Sequence, residues 1–176
     1  MKRILALLIA LALVSTVCFS ASADLIKRED FDKQNNIPAK EDFWIYPGGG
    51  YGILLPASWS QLSKTDEMAE EDVVYFAEDY SAGIYLIVDR FKKDNLEQNK
   101  ATTPKKFVKA LAKEGTDASI VEINDIDVVV YYYKDALTAF VFDDYGGGYM
   151  YIFNPITTDD QEDEVCSILS TLTKTK

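Results

Sequence analysis

Histidine is absent from all 176 residues. It is the commonest general base near neutral pH and the commonest transition-metal ligand, so Ser-His-Asp and Cys-His machinery is excluded at once. Cysteine is almost as scarce, with Cys18 and Cys166 alone, and two thiols do not make a cysteine-rich zinc or iron–sulfur site. No Gly-x-Ser-x-Gly and no phosphate-loop lysine motif occurs, which removes the nucleophile elbow and the P-loop. Positive charge is in deficit too, 18 Lys+Arg against 29 Asp+Glu, a net −11. Such a field repels phosphate backbones and anionic headgroups, so neither nucleic acid nor a membrane surface is an expected partner.

The one long apolar run is Ile4 to Val14. Lys2 and Arg3 precede it, and Ala21-Ser22-Ala23 follows with the small residues a signal peptidase accepts. That order reads as a cleavable signal peptide over residues 1–23, cut near Ala23/Asp24, and predicts a secreted or extracytoplasmic protein. The run is short of the ~20 apolar residues a membrane span needs, so no span is expected after cleavage. Cys18 does not fit a lipid-modified cysteine, because Val17 and Ser15 occupy the positions where small and aliphatic residues are required. Cleavage would remove two positive charges and no acid, taking the net charge from −11 to −13. Cys166 would be left unpaired; burial as a small apolar residue is the expectation, and a disulfide between chains the alternative.

Residues 24–41 are polar and aperiodic and read as a flexible leader, and residues 42–176 as a single α+β domain. Phe43 to Tyr46 and Tyr51 to Leu55 flank Pro47-Gly48-Gly49-Gly50 and predict a hairpin. Val73 to Ala77 and Gly83 to Phe91 are two further strands; Leu62 to Glu71 is a loop or one helical turn. Thr103, Pro104 and Gly115 bracket an amphipathic helix with Phe107, Val108, Leu111 and Ala112 on its apolar face. Its row of lysines reads as a solvated face. Four strands follow, about Ser119 to Ile123, Asp127 to Tyr133, Leu137 to Phe142 and Tyr149 to Phe153, with connections short enough to force antiparallel neighbours. Val128 to Tyr133 does not alternate, which predicts a central strand covered on both faces. Thr158 and Gln161 form a capping box that opens a last helix, whose first turns are crowded with acids.

The expected fold is therefore an antiparallel sheet of about six to eight strands covered by helices, an αβα sandwich. Gly50-Tyr51-Gly52-Ile53-Leu54-Leu55-Pro56 followed by Trp59 resembles the opening signature of the PsbP-like family, whose fold includes the Ran-binding Mog proteins, and the element order resembles that family from about Phe43 to Leu172. The resemblance implies a sheet between helical layers. Photosynthetic members of the family are oxygen-evolving-complex subunits with histidines among their proposed metal ligands; with no histidine here, that role does not carry over.

The glycine triplets each join two strands rather than a strand and a helix, so they are not phosphate cradles. The two hairpins look alike, through independent glycine turns or an old duplication. Asp143-Asp144 and Asp159-Asp160 match no calcium-loop spacing, and no metal or cofactor is expected. The candidate binding residues are the aromatics around the two turns: Trp44, Tyr46 and Tyr51 at the first, Tyr145, Tyr149 and Tyr151 at the second. They either cover sheet edges or present flat platforms to a sugar or peptide. The leading functional expectation is an exported, non-catalytic binding or accessory module acting on a protein or cell-envelope partner. The alternatives are a carboxylate-only hydrolase, which needs two acids about 5 to 10 Å apart in a cleft, and a carbohydrate-binding module using the hairpin tyrosines.

Overall fold

A computed structural model describes residues 41–174. The signal peptide read over 1–23 and nearly all of the leader lie outside the described residues. Ten strands and four helices follow in the order β1 (Phe43–Gly48), β2 (Tyr51–Leu55), β3 (Trp59–Gln61), α1 (Asp66–Glu70), β4 (Val73–Asp79), β5 (Ile84–Phe91), α2 (Lys93–Gln98), α3 (Pro104–Lys113), β6 (Ala118–Ile123), β7 (Ile126–Tyr133), β8 (Ala136–Phe142), β9 (Gly148–Asn154), α4 (Asp159–Ser170) and β10 (Thr173–Lys174). β3 to β9 make one antiparallel seven-stranded sheet ordered β3-β4-β5-β9-β8-β7-β6, while β1, β2 and β10 make a separate small sheet ordered β1-β2-β10. The chain is thus an α+β sandwich around an antiparallel sheet.

Both faces of the central strands of the large sheet are buried, and alternation along each strand divides its side chains between two cores. On one face Leu86, Val88, Val128, Val141, Tyr151 and Phe153 pack with Ile53 and Leu55 of the small sheet and with Val165, Ile168 and Leu169 of α4. On the other, Ile87, Val129, Phe140, Met150 and Ile152 pack with Leu96 of α2 and Phe107 of α3. Phe140 stacks on Phe107 at a centroid distance of 4.5 Å and meets Phe91 and Phe142 edge to face.

Local signals explain most boundaries. Thr103 accepts a hydrogen bond from the Lys106 N–H, and Pro104 occupies the first position of α3, where its missing N–H costs nothing. In α4 the Thr158–Gln161 capping box is complete. Asn124 and Asp125 turn the β6–β7 hairpin with φ of 49° and 64°, the left-handed pair that a tight hairpin requires. The Asn124 side-chain amide also donates to the carbonyls of Ser170 and Leu172, closing the end of α4.

Three expectations are corrected. β7 is the penultimate strand rather than a central one; β9 holds the centre. The first part of the unalternating run of β7 is covered on both faces, because α3 packs against β6 and β7 on one side while Val128 and Val130 meet the other core; Tyr132, further along, is exposed. Cys166 is exposed, not buried. It follows Val165 by a single residue, and the ~100° step of a helix carries it off the buried stripe. Finally, Tyr51, Tyr149 and Tyr151 are core residues rather than surface ones, for reasons given below.

Phe140 is fully buried and touches three other rings. Phe140→Ala is expected to cost about 3–5 kcal/mol, read as a lower urea midpoint at unchanged slope.

Candidate functional site

The six aromatics proposed from the sequence separate into two groups. Tyr51, Tyr149 and Tyr151 fasten the small sheet to the large one. Tyr51 Oη donates to the Phe142 carbonyl at 2.8 Å. The Tyr149 ring lies against the first glycine turn so closely that a Cβ on Gly48 or Gly49 would fall 2.5 or 2.2 Å from it. Both glycines also have left-handed φ, 146° and 64°. Glycine is required here twice over, by conformation and by contact. Lys174 of β10 reaches Asp144 beside the second glycine turn at 2.7 Å. The two turns are therefore neighbours in space, clasped together by one ring.

Trp44, Tyr46 and Tyr145 are exposed, at 45, 58 and 84 %. Trp44 and Tyr46 alternate with buried Ile45 on β1, so strand geometry turns both outward. Their rings are 6.3 Å apart and within 19° of parallel. Tyr46 leans across the strand pair onto Gly52, whose missing Cβ makes room for the ring. Across the ladder Leu54 pairs with Trp44, and β10 brings Thr173 beside Gly52. The outer face of the small sheet is thus an aromatic surface with an aliphatic border. Tyr145 stands at the tip of the β8–β9 turn, whose loop is held by Asp143: its Oδ1 accepts from the N–H groups of Tyr145 and Gly147 at 2.9 and 2.8 Å.

The other chemically loaded groups are carboxyls that sequence reasoning did not single out. Asp79 at the end of β4 is buried. Burial raises its pKa, but hydrogen bonds from the side chains of Ser58 and Ser81 and from the N–H groups of Ala82 and Ser81 outweigh that and hold it below the usual range. Glu164 of α4 faces it within hydrogen-bonding reach and is pushed up by burial and by Asp79, against a hydrogen bond from Trp59 that pulls it down. Trp59 Nε1 donates to Glu164 Oε1 at 2.8 Å. Two carboxyls that share a site push one of them up in this way. The arrangement pins α4 to β3 and β4. Hydrogen-bonding reach is shorter than the ~5 Å or more that separates the two carboxyls of a glycosidase.

Asp89 on β5 points into the opposite core, between Val73 and Met150 of the flanking strands. It is 7 % exposed, and its Oδ1 has no hydrogen-bond partner among the described residues. Burial, reinforced by the charges of Glu71 and Asp72, raises its pKa to about 7. Nearby, Tyr131 Oη reaches Met150 Sδ at 3.2 Å.

No three potential metal ligands converge among the described residues. Asp143 and Asp144 serve the β8–β9 loop and Lys174, and Asp159 and Asp160 open α4. Two surface grooves are open to solvent. One follows the start of β6 and the end of β7, past Asp117, Ala118, Val121, Tyr131 and Tyr132; the other lies between the β3–α1 connection and β4. Neither is lined by Asp79, Asp89 or Glu164. No helix among the described residues is long and apolar enough to cross a membrane.

No protein-family model matches the chain, and no curated protein matches it. A crystal structure from Bacteroides thetaiotaomicron VPI-5482 is similar at 15 % sequence identity with a TM-score of 0.45, covering 79 % of this chain and 50 % of that one. The chain therefore spans half the length of that neighbour.

Asp89 makes stability depend on pH. Its folded pKa near 7 lies above the ordinary 3.8, so the folded state holds the proton more tightly than the unfolded chain. The stabilisation is complete below about pH 4 and is lost as pH rises toward 7; at ~1.4 kcal/mol per unit this amounts to roughly 4 kcal/mol. Asp89→Asn, neutral at every pH, is expected to melt well above the parent at pH 8 and close to it at pH 4. A melting-temperature difference of the same size at both pH values would contradict the assignment.

Proposed function

We propose that this protein is an exported, non-catalytic binding module, and that it engages cell-envelope or extracellular glycan through the outer aromatic face of its small sheet. The observation that carries the reading is the Trp44–Tyr46 pair, near-parallel and outward-facing, with the Tyr46 ring seated on Gly52. Aromatic rings offer apolar faces to the C–H faces of sugars, and rigid side chains lose little entropy on binding. Leu54 beside Trp44 extends the apolar surface, and Thr173 supplies a hydroxyl at its border. Export is supported by the pattern of residues 1–23. A binding role is favoured over a glycosidase-type carboxylate hydrolase by the close approach of Asp79 and Glu164 and by grooves that those acids do not line. The kinship with PsbP-like domains is proposed on element order alone; the first hairpin, which carries that signature, sits in the small sheet rather than the large one.

The test is glycan-array binding of the full chain beside a Trp44→Ala/Tyr46→Ala double variant and a Tyr145→Ala variant. The double variant is expected to lose roughly tenfold or more in affinity, on the scale of central aromatic contacts, with its melting temperature within a few degrees of the parent. Glycan binding unchanged in the double variant, or no binding by the parent to any glycan, would overturn the reading.

A further inference from the structure

The two sheets have four outer edges, and three are blunted. β3 is only three residues long. β1 contains Pro47 and an irregular register between Ile45 and Gly48. β10 has two residues. β6 differs from all of these. Its six residues pair with β7 in unbroken register from Ala118 to Ile123, without proline, glycine or bulge, and no strand among the described residues pairs with its outer side. Ile120 and Val121 are 38 and 43 % exposed, and alternation sends them to opposite faces of the sheet. An unbroken aliphatic edge whose outer main-chain groups pair with no strand among the described residues is a template for one more strand.

The charges along this edge indicate what kind of strand. Glu122 stands directly opposite Asp127 across the β6–β7 ladder, and like charges so placed repel. Asp125 lies in the adjoining turn and Asp117 precedes the strand. None of these four has an ion-pair partner among the described residues. A residue laid opposite Glu122 in an added strand points to the same face, so a lysine or arginine there would relieve the repulsion. A second copy of this chain would instead bring the same acids and another net charge of −11.

We infer that the outer edge of β6 receives an extended, basic segment of a partner protein as an eighth strand. Running antiparallel, that segment places a basic residue opposite Glu122 and aliphatic residues next along it, opposite Val121 and Ile120. The main chain of β6 supplies affinity, while the acids supply the charge preference and steer the encounter. This surface is independent of the aromatic face of the small sheet, and either can fail without the other.

The experiment uses the full chain and a short synthetic peptide carrying lysine, valine and isoleucine in succession between threonines, with a control in which glutamate replaces lysine. Binding is followed by fluorescence anisotropy and by amide hydrogen exchange. The lysine peptide is expected to bind and to slow exchange within Ala118–Ile123, and the glutamate peptide to do neither. Glu122→Lys, an exposed change checked by circular dichroism, is expected to weaken the lysine peptide by about tenfold, the combined effect of losing an attraction and adding a repulsion. The inference is overturned if the bound peptide leaves Ala118–Ile123 unprotected, if both peptides bind alike, or if Glu122→Lys binds as the parent does. It is overturned equally if those amides become protected with protein concentration and no peptide, which would make a second copy the occupant.

Discussion

Burial of the large sheet on both faces is the constraint on which the remaining structure depends. β8 and β9 are buried along almost their whole length, so neither face can be left to water. One face is covered by α2 and α3, the other by α4 and the small sheet. The small sheet is little more than a hairpin, its third strand being two residues long, and it is stabilised as a lid on that second face. Tyr51, Tyr149 and Tyr151 are committed to this docking. That leaves the outward-facing residues of β1 and the open edge of β6 as the surfaces proposed for recognition.

Much of this was legible in the sequence wherever the signal is local. Turn glycines, the Thr103 and Thr158 caps and the apolar stripe of α4 mark their elements because each acts within a few residues. The seven strands of the large sheet include six that strand patterning reveals. β3 and β10 are too short to carry a period, and α2 has a single buried residue, Leu96, to mark its face. The candidate site was half legible. Composition picks out tyrosines near turns, but which of them face water is decided by partners distant in sequence. Tyr149 is buried by Gly48 and Gly49, about a hundred residues earlier. Cys166 was misjudged by a single helical step.

The buried carboxyls could not be read from sequence at all. Among 29 acidic residues, buried Asp79 and Asp89 and half-buried Glu164 stand out only once the fold brings them to Trp59 or into the apolar core. The two cases differ physically. Asp79 is surrounded by donors, and hydrogen bonds to the charged form win over desolvation; Asp89 lacks such donors, and desolvation wins. The same residue type thus ends on opposite sides of its ordinary pKa within one small domain, for reasons of local solvation.

The small sheet also orders events in time. β2 pairs on one side with β1, its immediate predecessor, and on the other with Thr173 and Lys174. The Leu54 N–H, likewise, finds its partner in the Thr171 hydroxyl. A chain emerging from its N-terminus therefore holds a hairpin it cannot complete until more than a hundred further residues have followed. Closing a loop of that span is slow compared with forming the hairpins of the large sheet. Ile53 and Leu55, fully buried in the finished protein, spend that interval without their cover.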